Sequence, residues 1–567
     1  MNRSKPALLV SRRSKQYSGL AGGGLEPRLM SVSMADTARK AAHLGNHQDL
    51  VSFTFSGPCD EDKPILIDAA NVSRSVSRKK AYNLVTALSG AFTANNTVCL
   101  HLPNDVLYPV LVLAILASRC RWTGSNPAYT AAELEHHFRT SETAYVVTMP
   151  ESLATVQSAV QASGNRAEII LFSDLLEKEE SGAISGNPLR SNDHTLRTLR
   201  VLLQSPLNVD LPTMLSNISS NDIAALQQTS GTTGLPKMAM RSHLSMIFEL
   251  EAITDDSTCK PYEVRRLFCT PIFHAFSAPG MLFNALRLGQ VSYFMRRFDD
   301  SFAQKVHDFR ITETFGAPAM LLKLANKPGD YHLLQSLRYV AYGGAPLGSE
   351  LRRRFLSIFE VPPRLVPVYG MTEGGWFTTL QYPKEDDTGS VGRPVPGCEL
   401  KISSNPLDQS GKKHSEGEIL VRGPQLMQGY LGNAEATSAA FEDGWLKTGD
   451  IGYLEDGKLY LVDRIKDMIK VNGWQVSPAE LQNVLLQLED VLEAAVFGEG
   501  HDVDEHPVVC VLKKGTSLTA KAVREHMRGK LASYKVSKCE VRFVDAIPKS
   551  TTGKVVKELL RNKAALA

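Results

Sequence analysis

The stretch Thr229-Ser230-Gly231-Thr232-Thr233-Gly234-Leu235-Pro236-Lys237 gathers hydroxyls, two glycines and one lysine directly behind a short apolar run, Ile223 to Leu226. Such a loop can turn backbone N–H groups and hydroxyls around phosphate oxygens, while the lysine adds a compact positive charge. It reads as a loop that holds a nucleotide triphosphate. It is not a Walker A loop, because Leu235 and Pro236 separate Gly234 from Lys237 and Met238 follows. A flexible Ser/Thr/Gly surface loop has the same composition, so the rest of the chain decides between the two readings.

At 567 residues the chain exceeds one small core; with roughly 150 residues per domain it holds several units, or one large domain with a satellite. Hydrophobic residues make up 43% and charged residues 22%, the balance of a globular protein, and a net charge of +3 gives no basis for a nucleic-acid partner. The eight cysteines are scattered, with no Cys-x-x-Cys pair, and read as reduced, buried thiols of an intracellular protein. No stretch reaches the ~20 apolar residues of a membrane span, so stable membrane insertion is not expected. The longest apolar run, Leu107 to Ala117, reads as a buried helix. The first 25 residues carry five basic residues and no acid before Glu26. That composition suits a mitochondrial presequence and equally a disordered basic tail, and a cytoplasmic location is the first expectation. Ala565-Leu566-Ala567 is not a Ser-Lys-Leu peroxisomal address.

From about Val51, short apolar runs alternate with helical patterns. Thr97 to Leu102, Ala144 to Thr148 and Ala167 to Phe172 read as buried strands; Leu107 to Arg119 and Ala131 to Thr140 read as helices. This alternation predicts an α/β fold with parallel, doubly wound sheets covered on both faces. Glu177 to Ser191 is polar and reads as a surface loop. Gly343-Gly344-Ala345-Pro346 and Tyr369-Gly370-Met371-Thr372-Glu373 interrupt the pattern where strands should end, the position at which such sheets bind ligands. From Gly389 the texture becomes Gly/Pro-punctuated short strands, a small β-rich subdomain, with strands at Gly417 to Arg422 and Lys458 to Val462. Beyond Asp463 a compact α+β tail of about 100 residues follows. Its helices are expected at Pro478 to Leu488 and Thr519 to Lys530, and its strands near Ala494 to Phe497 and Val508 to Leu512. The division is thus a basic segment 1–50, a large domain 51–463, a hinge 464–466 and a mobile C-terminal domain 467–567.

Four further clusters bear on the phosphate loop: Pro271-Ile272-Phe273-His274, the Tyr369 to Glu373 motif, Thr448-Gly449-Asp450 placed as a carboxylate after a tight turn, and Pro548-Lys549-Ser550-Thr551-Thr552-Gly553-Lys554. In this order they resemble the superfamily of acyl-adenylating enzymes: acyl-CoA synthetases, nonribosomal peptide adenylation domains and firefly luciferase. The resemblance runs from about Val51 to Arg561. Gly124 to Leu134, His274 with Phe276, and Tyr369-Gly370-Met371-Thr372-Glu373 look most like the 4-coumarate–CoA ligase branch.

The resemblance implies a ligase that joins a carboxylate to the α-phosphate of ATP, releasing pyrophosphate, and then lets the thiol of coenzyme A displace AMP. It implies that Thr229, Ser230, Gly231, Thr232, Thr233 and Lys237 cradle the β/γ-phosphates and that Thr372 binds the α-phosphate. Glu373 would hold Mg²⁺ and Asp450 the ribose hydroxyls. Gly343, Gly344 and Ala345 would flank adenine beside Tyr369 and Gly370, and Arg464 would sit near ribose and phosphate. Lys554 would be the catalytic residue of adenylation, bridging the acyl carboxylate and the α-phosphate. Lys466 matches a hinge about which the tail rotates between the half-reactions. Lys470 and Gln475 would serve the nucleotide, Gly473 and Asn472 would border coenzyme A, and Arg297 would meet its phosphates. His274 would act at the junction of acyl pocket and thiol tunnel, as a gate rather than a general base, and Phe276 would line the pocket.

Three departures from the family pattern stand out. Met238 follows the loop lysine where glycine is usual, and Asn472 replaces a lysine that contacts coenzyme A in the plant ligases. Pro367-Val368 precedes the Tyr369 motif and Gly374-Gly375-Trp376-Phe377 follows it, so Val368, Trp376 and Phe377 would reshape the acyl pocket toward a flat or compact apolar acid. 4-Coumarate itself is therefore not the expected substrate. The leading expectation is an ATP- and Mg²⁺-dependent ligase making the acyl-CoA of an aromatic or medium-sized apolar acid. The alternatives are an adenylating enzyme that loads a separate carrier protein's phosphopantetheine, and a non-catalytic nucleotide-binding scaffold.

Overall fold

The computed structural model describes residues 48–176, 190–191, 194–204, 210–229, 236–255, 257–403, 416–471, 474–500, 505–536, 538–549 and 555–564. Residues 1–47 of the basic segment and nearly all of the polar stretch from Glu177 to Ser191 lie outside these residues.

The expected α/β architecture is present as two large sheets. In the seven-stranded sheet, Ile223–Gln228, Arg121–Gly124, Thr97–His101, Thr143–Thr148, Glu168–Leu171 and Arg197–Thr198 run parallel, and Met238–Ser242 folds back antiparallel at one edge. The nine-stranded sheet has a parallel centre running from Arg364–Met371 through Tyr339–Gly343, Glu313–Gly316, Arg265–Phe268 and Val291–Phe294 to Pro64–Asp68. Its edges, Ser75–Ser77 on one side and Gly375–Thr379 with Arg393–Pro394 on the other, are antiparallel.

The helix Tyr108–Ala117 joins the two sheets. It is apolar on every side, and every residue in it is buried, as expected of a helix with protein all round. One core cluster holds this helix together with Val98, Leu100 and Ala224 of the first sheet and Phe268, Phe294, Ala341 and Val366 of the second. Burying that much apolar surface, at roughly 25 cal/mol per Å², dominates the stability of the large unit.

The β-rich region is a five-stranded antiparallel sheet in which Trp445–Glu455 pairs with Gly417–Arg422 and Lys458–Arg464. The tail has its own core around a three-stranded sheet, Val491–Glu499, His506–Lys513 and Glu540–Phe543, with the helices Pro478–Leu485 and Ala520–Arg528. Ser477 caps the first of these helices, and Asp463, near the end of the Lys458–Arg464 strand, accepts hydrogen bonds from the Ser477 hydroxyl at 2.6 Å and from Ala479 N at 3.1 Å. A negative charge at a helix N-terminus is favourable there. Among the described residues no helix is long and apolar enough to cross a membrane.

Two local expectations are corrected. Tyr369 to Met371 do not interrupt a strand: they complete Arg364–Met371, and Thr372 to Gly374 form a hairpin turn into Gly375–Thr379. Glycine is required on both sides of the turn, because a Cβ on Gly370 would meet Gly375 O at 2.0 Å and Gly375, opposite Met371, has φ +70°. Thr448-Gly449-Asp450 is not a turn but the middle of the long strand Trp445–Glu455. The positive φ of Gly449, +71°, bends that strand and places Asp450 opposite Arg464.

Candidate active site

The strand Ile223–Gln228 and the returning strand Met238–Ser242 bracket the phosphate loop. Thr229 closes its base: Thr229 N donates to Lys237 O at 2.8 Å, and Lys237 N donates to the Thr229 hydroxyl at 3.3 Å. Ser230, Gly231, Thr232 and Thr233 lie outside the described residues. Beneath the loop, Gln228 Oε1 accepts from the Tyr129 hydroxyl at 3.0 Å and faces His137 Nδ1 at 3.2 Å, and His136 Nε2 lies 2.9 Å from Pro236 O. His137 is held neutral, its pKa brought down to about 4 by burial.

Lys237 reaches away from the loop base, its ammonium 5.0 Å from the ring centroid of Tyr430. The Tyr430 hydroxyl donates to Glu373 Oε1 at 2.7 Å. Glu373 is buried, and its carboxyl is pushed above the usual range by loss of water; the Tyr430 hydrogen bond and the Lys237 charge pull it partly back. The buried carboxylate suits a hard divalent cation, and the two nearby cations, Lys237 and Arg464, suit phosphate oxygens.

On the neighbouring sheet Asp450 Oδ2 accepts from the Tyr369 hydroxyl at 2.8 Å, and its other oxygen lies 3.3 Å from Arg464 Nε. Between the carboxylates Glu373 and Asp450 stands the end of the Arg364–Met371 strand, with Thr372 half-buried at the turn. The next strand ends at Gly343. A Cβ there would sit 2.9 Å from Val368 O and 3.0 Å from the Phe276 ring, so the position admits only glycine. Gly344 has φ +82° with open space before it, and Ala345 is exposed, leaving a strip of bare backbone that a flat ring can approach.

Behind that strip lies a cavity lined by Thr270, His274, Phe276, Ser277, Gly343 and Gly344, among others. His274 Nδ1 accepts from Phe276 N at 3.2 Å, which places the neutral ring's proton on Nε2. The Phe276 ring stacks on Trp376 at 5.8 Å and 15° and meets Phe315 edge-on at 5.9 Å. Trp376 is held by its indole N–H on Phe276 O at 3.1 Å and by its backbone N on Glu249 Oε1 at 3.1 Å, Glu249 being the buried ion-pair partner of Arg241. Val368 shares this cluster. Phe377 does not, against expectation: successive strand residues face opposite ways, and its ring lies 6.0 Å from Tyr369 in the core under the β-rich sheet.

Arg297 is exposed just beyond the strand Val291–Phe294, and Lys470 is exposed on the hairpin Ile469–Val471 with Trp474–Val476, where Gln475 also lies. Lys466 stands in the short helical turn Ile465–Asp467 that follows Arg464. Asn472, Gly473 and Lys554 lie outside the described residues, the last within a segment bracketed by a bridge between Lys549 and Val555.

Residues 57–431 match the family of AMP-binding enzymes, and residues 480–554 match the AMP-binding enzyme C-terminal domain. The chain belongs to the AMP-binding enzymes. Acyl-CoA ligase M9 of a Phoma species is 48% identical to it over 522 residues, covering 91% of this chain and 96% of that one. Phenylacetyl-CoA ligase epaB of Aspergillus niger is 37% identical over 533 residues, covering 91% and 97%. The crystal structure of the anthranilate CoA ligase AuaEII in complex with anthranoyl-AMP has the same fold, with a TM-score of 0.77 at 21% identity over 93% of this chain and 99% of that one.

In this AMP-binding enzyme the residues that sequence reading missed are those that hold the named ones. Tyr430 tunes Glu373, Glu249 fixes Trp376, and Asn104 fixes the His274 loop. The Asn104 side-chain amide donates to Thr270 O at 2.9 Å and Met295 O at 3.1 Å, and its oxygen accepts from Ile272 N at 2.9 Å. No local pattern marks any of these three.

Proposed function

We propose that this chain is an AMP-forming acid–thiol ligase that converts a compact aromatic or medium-sized apolar carboxylic acid to its acyl-CoA through an acyl-AMP. The observation that carries this reading is the convergence of Glu373, Asp450, Lys237 and Arg464 from three different sheets, next to a cavity that the Phe276 ring lines. Relatives that ligate coenzyme A, one of them named for an aromatic acid, support it.

In the first step a carboxylate must approach a triphosphate of like charge, so positioning and neutralisation account for most of the catalysis. The phosphate loop from Thr229 to Thr233, with Lys237, cradles the β- and γ-phosphates, and Thr372 donates to the α-phosphate. Asp450 accepts from the ribose hydroxyls with Arg464 beside it, and the backbone of Gly343, Gly344 and Ala345 flanks adenine. Glu373 would hold Mg²⁺, which would supply further neutralisation of the phosphate oxygens. Lys554 bridges acyl carboxylate and α-phosphate. Phe276, Val368 and Trp376 contact the acyl body.

In the second step the tail, residues 467–567, turns about the 464–466 hinge at Lys466. Lys470 and Gln475 leave the nucleotide, Gly473 and Asn472 come to the thiol tunnel, and Arg297 meets the coenzyme A phosphates. His274 gates the junction of acyl pocket and tunnel.

Pyrophosphate release across a panel of carboxylic acids, with and without coenzyme A, tests the reading. Acid-dependent release with an acyl-CoA product is expected. Release that stops at acyl-AMP would move the acceptor to a carrier protein, the alternative that Asn472 keeps open, and ATP binding without release for any acid would leave a scaffold.

A further inference from the structure

The helix Ala131–Thr140, with Tyr129 just before it, holds the phosphate loop at both of its ends. On the entering side, Gln228 Oε1 accepts from the Tyr129 hydroxyl at 3.0 Å and faces His137 Nδ1 at 3.2 Å. On the leaving side the contact is His136, whose Nε2 lies 2.9 Å from Pro236 O. The other ring nitrogen sets the direction of that bond. His136 Nδ1 lies 3.4 Å from Arg139 Nη2, a guanidinium nitrogen that can only donate, so Nδ1 accepts and the neutral ring carries its proton on Nε2. Arg139 is itself held by Glu135 at 2.9 Å, one turn back on the same helix. Proline has no N–H, so its carbonyl is the main-chain polar group through which Pro236 can be held. The peptide unit shared by Pro236 and Lys237 is thereby fixed at both edges, its oxygen by His136 and its N–H by the Thr229 hydroxyl at 3.3 Å. Lys237 starts from that plane, and Lys237 O in turn accepts from Thr229 N at 2.8 Å.

We propose, resting on the placement of the triphosphate in the reading above, that His136 is a positioning residue for ATP: it aims Lys237 at the β- and γ-phosphates by holding the Pro236–Lys237 peptide plane. A lysine ammonium sits on a flexible four-carbon stem, so where it can reach depends on how firmly the base of that stem is fixed. His136 touches no substrate atom in this role. It acts on the part of the site that meets the outer phosphates and not on the ribose and adenine end, which is assigned to Asp450 and Gly343 on other sheets. Loss of the His136 contact should therefore weaken ATP and spare AMP, which has neither outer phosphate.

The test is equilibrium binding of ATP and of AMP, measured by calorimetry on the full chain, on His136→Leu and on His136→Gln. Glutamine puts an N–H donor at about the reach of imidazole Nε2, and leucine removes the donor. His136→Leu should weaken ATP binding roughly 3- to 10-fold, the loss expected of one neutral hydrogen bond, and leave AMP binding as it is in the full chain. His136→Gln should recover the ATP affinity. Retained AMP binding also shows that each variant is folded. ATP affinity that survives His136→Leu, an equal loss for AMP, or His136→Gln as weak as His136→Leu would overturn the inference. None of these outcomes depends on turnover: absence of acid-dependent pyrophosphate release would remove the ligase reading and leave the binding comparison to decide the role of His136. A full chain that does not bind ATP would overturn both.

Discussion

Tyr430→Phe separates the electrostatic role of Tyr430 from its packing role. The substitution keeps the ring 5.0 Å from the Lys237 ammonium and removes only the hydroxyl that donates to Glu373 at 2.7 Å. A hydrogen bond to an ionised acceptor contributes about 1.5–3 kcal/mol, so its loss should raise the Glu373 carboxyl further. That carboxyl already lies above the ordinary range because burial disfavours its charged form. In the proposed role Glu373 acts ionised, so activity falls as pH falls through its pKa. The acid limb of the kcat/KM profile for acid-dependent ATP–pyrophosphate exchange reports the free enzyme. It should move upward in pH in the variant, with rates converging toward the full chain on the alkaline side. An acid limb that stays in place, or a loss of equal size at every pH, would refute the assignment of Tyr430 as the group that holds Glu373 ionised.

Lys554→Ala should abolish acyl-AMP formation and leave the reaction of supplied acyl-AMP with coenzyme A largely intact; equal loss of both half-reactions would refute its role. Trp376→Ala removes the ring stacked on Phe276 and should cost about 3–5 kcal/mol of stability while extending turnover to bulkier acids, as should Val368→Gly; calorimetry and the acid panel check both, and an unchanged profile in both variants would place these side chains outside the pocket. His101, His137 and His243 are buried with pKa values brought down to about 4, below the roughly 6.5 of an unfolded histidine, so the unfolded chain takes up their protons first and stability is lost as pH falls from about 6.5 toward 4. Each should cost about 2 kcal/mol at pH 5, and a thermal midpoint that is flat between pH 7 and 5 would contradict this.

The parts of the fold visible in the sequence were those with a local signature. The helix Tyr108–Ala117 contains no polar side chain that could face water, and Thr97–His101 and Ala131–Thr140 carry the strand and helix patterns of their neighbours. Gly343 and Gly344 were legible because bare backbone is needed where they lie. What escaped was set by distant partners. Glu373 meets Tyr430 57 positions away, Tyr369 meets Asp450 81 positions away, and Asn104 reaches residues 166 to 191 positions along the chain. As sequence, Trp376-Phe377 is one apolar pair facing the acyl pocket, whereas the pleat of Gly375–Thr379 sends the two rings into different cores. Gly449 gives Thr448 to Asp450 the local signature of a turn; in the sheet the same glycine bends a strand and sets the Asp450 carboxylate against Arg464.

The central claim, that one site carries both adenylation and thiol transfer, is tested most directly by mass spectrometry of a single turnover: enzyme in excess with ATP, Mg²⁺ and an acid from the panel, followed by coenzyme A. An acyl-AMP mass that appears before coenzyme A is added, and is replaced by the matching acyl-CoA mass afterwards, is the predicted result. ATP consumed to ADP, or an acyl-AMP that coenzyme A leaves untouched, would contradict the account.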